Sequence, residues 1–480
     1  MTTLKNARVD GELVDVHIEH GRIAAISPAG SKSYSDEQFD LEGRWLVPGL
    51  WDHHVHFDQQ ALALRRIDLS SAKSAKGAAL VMREGQKRIA LRDGELLIGH
   101  GFRDGLWPDR MTFELLDSII PDQPVVMVSA DLHCSWLNSS ALAKFGFNSH
   151  PTGLLQEDDS FLVTSKLQVH SEQELDRWVS DAAIQAAARG VVGVTDMEMT
   201  DNIASWGRRF ANGFDTLRIQ AGIYRQDLDA AISAGHKTGE PLEASGLLTV
   251  GPFKILTDGS LNTRTAYCVD PYPGTDDRGL LTVGPSELRP LMKAASESGI
   301  IPAVHAIGDE ANRLVLDSFE AVGCGGRLEH AQLVLPEDFK RFAQLKVAAS
   351  VQPEHEVDDR DVADRYWPDR SDRAFAWRSL VEAGAELLFG SDAPVAHLDP
   401  WRAMAAAVFR TGDEREAWHP EQRLSYSEAL KSSVHSNIEE GETADLVAVD
   451  REPESSRADE LRTMPVALTM IAGRATFSAL

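Results

Sequence analysis

Pro48-Gly49-Leu50-Trp51-Asp52-His53-His54-Val55-His56 decides how the rest of the chain is read. On a strand, side chains at i and i+2 share a face, so His54 and His56 can reach one metal ion together. Asp52 lies on that face one step deeper, where it can orient a ligand, and His53 points the other way. A bare H-x-H also arises by chance on surfaces. Its weight here depends on the pattern of the remaining chain.

Outward from this stretch, short apolar runs alternate with helix-like segments. The runs are residues 45–56, 191–197, 217–224, 252–257, 300–305, 327–330, 347–352 and 386–392, with helical connectors such as 288–298 and 377–383. About eight strands in βα alternation predict an α/β fold of the (β/α)8 barrel type, spanning residues 48–440. Barrel chemistry sits at the C-terminal strand ends, which is where His54 and His56 fall. The first gap is too long for one crossover. Residues of about 61–189 hold further strand-like runs, 95–100 and 124–129, and a helix-like stretch at 172–188, so they read as an insertion expected to cover the active site. Both ends of the chain alternate as short strands: Val14, Val16 and Ile18 on one face near the start, and 445–450 and 466–471 near the end. Residues 1–47 and 441–480 are therefore expected to complete one composite β-sandwich domain.

Composition narrows the class. The 480 residues carry a formal charge of −26, which argues against nonspecific nucleic-acid binding, since no basic stripe compensates it. No apolar run is long enough to span a bilayer, and the first eleven residues do not resemble a secretory signal. Three scattered cysteines, Cys134, Cys268 and Cys324, make neither a disulfide framework nor a zinc ribbon. A cytoplasmic protein with a small-molecule partner, no nucleic acid and no membrane is the expectation, and a homo-oligomer is compatible with it.

The later strand ends then fall into line. Lys254 lies in the fourth run, His305 closes the fifth, His330 the sixth, and Asp392 the eighth. Each has an ordinary reading as a cap, core group or ion-pair partner. Five strand ends with metal-competent or charged groups favour a shared metal site.

These residues resemble the amidohydrolase superfamily, in the branch that includes YtcJ-like proteins and N-substituted formamide deformylases. Supporting stretches, in order, include Asp131-Leu132-His133-Cys134-Ser135-Trp136, Asp258-Gly259-Ser260-Leu261 and His305-Ala306-Ile307-Gly308-Asp309. Arg327-Leu328-Glu329-His330-Ala331-Gln332, Gln352-Pro353-Glu354-His355 and Gly390-Ser391-Asp392-Ala393-Pro394 continue them. The resemblance covers about residues 4–475. It implies a metal-bearing barrel and places His54, His56, Lys254, His305, His330 and Asp392 around one or two ions, with Zn²⁺ suited to imidazole and carboxylate ligands. Lys254 matches a lysine carboxylated in several binuclear relatives. The alternative is an unmodified Lys254 beside a single metal, paired with a substrate carboxylate or with Asp258.

The implied reaction is hydrolysis of an amide-type, non-peptide C–N bond by a metal-activated hydroxide, with Asp392 as proton shuttle and His330 as the second catalytic group. A mononuclear hydrolytic deaminase of a heterocycle and a non-catalytic barrel scaffold remain as alternatives. Trp107 and His133 on the insertion, and Arg264 and His355 after the fourth and seventh strands, are the expected substrate contacts. Trp51 and His53 depart from the family pattern, as does the shortened segment 431–441.

Overall fold

The computed structural model describes residues 1–30, 37–102, 104, 107–129, 134–156, 158–167, 170–261 and 264–480. Eight parallel strands form one sheet in chain order: Leu50–Val55, Val191–Asp196, Arg218–Ile223, Leu248–Leu256, Pro302–Ala306, Gly326–His330, Val347–Val351 and Leu387–Phe389. The first and last are brought together just past their ends. There the Asp392 amide donates to the His54 carbonyl (2.7 Å) and the His56 amide to the Ala393 carbonyl (2.9 Å). This is the expected (β/α)8 barrel, and its strands are largely buried on both faces, with the polar exceptions concentrated in Leu50–Val55 and Gly326–His330.

The crossover helices cover the outside. In Asp309–Val322, Ala311, Val315, Leu316 and Phe319 are buried at helical spacing, and the helix stops at Gly323, whose φ of 72° suits glycine. Truncating the fully buried Phe319 to alanine would cost about 3–5 kcal/mol.

The run 45–56 is two strands, not one. Trp45–Pro48 pairs antiparallel with Leu446–Val449 in the terminal sheet, and Leu50–Val55 enters the barrel. Gly49 marks the change of sheet, because a Cβ there would lie 2.6 Å and 2.7 Å from the two Val192 methyls. The fourth strand begins at Leu248, four residues before its apolar core. The eighth is only Leu387–Phe389, leaving Gly390 to Asp392 as its exit turn.

The terminal sheet has eight strands, five from the start of the chain and three from the end, hydrogen-bonded continuously. Leu4, Val16, Ile18 and Leu46 share one buried cluster with Leu446, Leu468 and Met470, so the core of this domain draws on both termini. His20 (φ 50°) and Gly21 (φ 76°) give the two positive dihedrals of a tight hairpin turn between Glu12–Glu19 and Arg22–Pro28.

Residues Asp58–Ala182 form a second compact unit. Its five-stranded sheet runs Leu154–Gln156, Cys134–Leu137, Val125–Ser129, Leu97–Phe102, Arg66–Asp68, with Leu69, Met82, Phe102 and Trp136 in its core. The helix Glu172–Ala187 continues past the last residue of this unit. Among the described residues, no helix is long and apolar enough to cross a membrane.

Candidate metal centre

The first and eighth strands meet tightly enough to place three donors together. Gly390 makes the approach feasible, since a Cβ there would lie 2.7 Å from both the Cβ and the amide nitrogen of His54. Asp52 fastens the joint. Its carboxylate accepts from the amides of His54 (3.1 Å) and Ser391 (3.0 Å), so it holds main chain and does not itself face a ligand. Burial pushes its carboxyl up to about 6. Beyond the joint, Asp392 turns back with φ 57°, a left-handed conformation that aspartate tolerates better than most residues.

This brings Asp392 Oδ1 to 3.2 Å from His56 Nε2 and 3.5 Å from His54 Nε2. Two ligands bound at about 2.0–2.1 Å in a tetrahedral set are themselves about 3.3 Å apart, so the spacing fits a transition-metal ion. A second triplet, His330, His355 and Asp392, shares the same carboxylate, and the donor atoms within each triplet all lie within 4.8 Å of one another. His330 takes a φ of 78°, uncommon for any residue but glycine and of a kind concentrated at functional sites. Its Nδ1 and His355 Nε2 are buried without a hydrogen-bond partner among the described residues, as expected of nitrogens kept for a ligand.

The electrostatics point the same way. Burial and the neighbouring Lys254 push the His54 imidazole down to about 4, so the ring is neutral at pH 7. Burial and His305 likewise hold His330 well below the usual histidine range. For Asp392, burial alone would raise the carboxyl, but His54, His56 and His330 hold it well below the usual carboxylate range. Lys254 Nζ stands 3.1 Å from His54 Nε2, and burial brings its ammonium down to about 8.

The orienting group of His54 was not among the expected residues. Glu329, fully buried, accepts from His54 Nδ1 at 2.7 Å, which fixes the tautomer and puts the ring's lone pair on Nε2, the nitrogen that faces Lys254 and Asp392. Its other oxygen lies 2.9 Å from Arg327 Nε. Burial would raise the Glu329 carboxyl, yet Arg327 and His54 hold it well below its ordinary range. The available signal is Arg327-Leu328-Glu329: two charges at i and i+2 on a buried strand require each other or other partners.

The remaining expected residues divide between the cluster and its surroundings. His305 is buried at the end of its strand, with Nε2 3.3 Å from both the Gly259 carbonyl and Asp258, and its ring packs edge-on against His330 (centroids 4.4 Å). Asp258 is occupied by the amides of Tyr267, Ile307 and Gly308, so it belongs to this loop network and not to Lys254. His355, expected as a substrate contact, lies beside His330 and Asp392 at donor spacing. Its Nε2 is 4.0 Å from Asp392 Oδ2. Arg264 is exposed over the Tyr366 ring (5.5 Å), while Asp270 faces Arg370 (3.6 Å). Trp107 packs on Phe102 in the core of the inserted unit, with centroids 5.6 Å apart. His133 lies outside the described residues.

Known proteins are similar in sequence and in architecture. Residues 37–477 match the model of the amidohydrolase family. Protein LONG AFTER FAR-RED 3 of Arabidopsis thaliana is 30% identical over 86% of this chain and 78% of its own length. The N-substituted formamide deformylase of Arthrobacter pascens is 27% identical over 95% of this chain and 94% of its own. Among solved structures, an uncharacterized metal-dependent hydrolase from Pyrococcus horikoshii superposes with a TM-score of 0.73 at 26% identity, covering 95% of this chain and 99% of that one. The chain belongs to the amidohydrolase family.

Proposed function

We propose that the protein is a metal-dependent hydrolase that cleaves an amide-type, non-peptide C–N bond of a small molecule, with Zn²⁺ as its ion. The observation that carries this reading is the single carboxylate of Asp392 shared by two sets of histidine nitrogens at metal-ligand spacing. The likeness to a formamide deformylase over nearly the whole chain supports the choice of bond.

His54, His56 and Asp392 would hold a divalent ion, which would supply Lewis acidity and a water of near-neutral pKa. The chain's own residues do the rest. Glu329 keeps His54 in one tautomer. Asp392, ionised at neutral pH, accepts a proton on Oδ2 and returns it to the departing amine nitrogen. His330, held neutral beside it, offers one N–H and one lone pair for the reacting group. Lys254, with its ammonium brought down to about 8, has an appreciable neutral fraction near pH 7. The amine could add CO2 and lose a proton to give a carbamate, whose anion would supply oxygen ligands for a second ion. Arg264 and His355 are the barrel groups that meet the substrate's polar end.

The test is release of amine from a panel of N-formyl, N-acyl and cyclic amides, before and after chelation and after Zn²⁺ is restored. Turnover of at least one class, abolished by chelator and recovered with metal, is expected. Turnover insensitive to chelation, or none across the panel, contradicts the reading.

A further inference from the structure

The barrel has a second opening, at the starts of its strands. TIM-barrel interiors are ordinarily filled by layers of bulky side chains. Here Pro302, Gly326 and Ala348 stand at or next to the starts of their strands, Pro252 lies midway along its own, and together they line a cavity of 780 Å³. That volume is within the range of small-molecule pockets, about 300–1,000 Å³.

The cavity is separate from the His/Asp cluster. Arg327 lines it, donates to the His53 carbonyl (2.5 Å) and Ser350 Oγ (3.0 Å), and pairs with Glu329 on the side toward His54. His53 and His435 line one wall with their rings stacked at 4.8 Å between centroids, and Trp51 backs His435 at 4.0 Å from outside the lining. This gives a role to His53, which the metal centre leaves unused. Ile300, Pro302 and Val434 add apolar surface. Lys346 and Lys431 are exposed in its lining beside one exposed carboxylate, Glu386, in a chain whose net charge is −26.

We infer that this cavity is a ligand site for a small organic carboxylate, with the acid group at Lys346 and Lys431 and the planar or apolar body against Pro302, Val434 and the His435 ring. Cys324, half-buried on the cavity wall, reports its occupancy directly. The experiment is site-resolved alkylation by N-ethylmaleimide, read by peptide mass spectrometry, with sodium benzoate as probe and Cys134 as internal control. Benzoate is expected to slow alkylation of Cys324 saturably, about fivefold at four times its Kd, and to leave Cys134 unchanged. The neutral analogue benzyl alcohol should not protect. Lys346→Glu/Lys431→Glu, a surface pair whose reversal leaves the core intact, should weaken protection about tenfold or more. Absence of saturable protection, equal protection by benzyl alcohol, or full protection of the charge-reversed variant would each overturn the inference. None of these outcomes depends on the hydrolytic reading.

Discussion

The strand ends of the barrel and the inserted unit Asp58–Ala182 both bury histidine or tryptophan, but they hold these rings by different means. At the strand ends each ring or carboxylate is set by another polar group: His54 by Glu329, and the backbone beside Asp392 by Asp52. In the inserted unit, Trp136 is fully buried among Leu, Met and Phe side chains, and its indole N–H donates to the Thr112 carbonyl at 3.1 Å. Polar groups that constrain one another on rigid strands form a chemical site, whereas an aromatic ring held by apolar packing contributes to the fold. The difference can be broken or sharpened by substitution.

The largest effect is expected at Asp392. Asn there keeps the shape and cannot return a proton, so Asp392→Asn should cut kcat by about 10²- to 10⁴-fold with metal content largely retained, as steady-state kinetics and metal analysis will show. Activity within a few-fold of wild type, with chemistry rate-limiting, would assign the proton transfer elsewhere. Glu329→Gln comes next. Loss of the carboxylate behind His54 should weaken metal binding about 10- to 100-fold in a chelator competition, and stability should also fall because Arg327 is left buried without its counter-charge.

Gly390→Ala tests the joint itself. The new Cβ must push against His54, so unfolding midpoints should report a loss of about 1–3 kcal/mol together with lower metal occupancy. Unchanged occupancy would mean that strand approach does not set the donor spacing. The smallest effect on the metal centre is expected at Trp136→Phe. It removes one hydrogen bond and part of a fully buried ring, so stability should fall by about 1–3 kcal/mol while metal content stays untouched. If this variant lost metal, the contrast between the two regions would fail.

Much of the barrel site is legible in the sequence because strand periodicity is short-range. His54 and His56 are two residues apart, and Asp392 comes after a Gly-Ser turn at a recognisable strand end. What is not legible depends on contacts that sequence spacing does not encode. Glu329 meets His54 across 275 positions, and beside His330 it reads as an ordinary charged neighbour. His355 reaches the cluster because Pro353 starts a helix directly after the seventh strand, so its ring comes from the first helical turn and not from the strand face. The break at Gly49 is hidden because residues on both sides of it are apolar, and only the proximity of Val192 explains it. Trp107 lies in an irregular segment with no period to assign its direction, and the structure packs it on Phe102.

Metal quantitation of wild type beside His54→Ala/His56→Ala decides whether the strand ends hold the ion. Elemental mass spectrometry of extensively dialysed protein should find at least one divalent transition-metal ion per chain in the wild type, and a strongly depleted site in the folded double variant. Full occupancy in that variant would contradict the assignment of the metal to the strand ends.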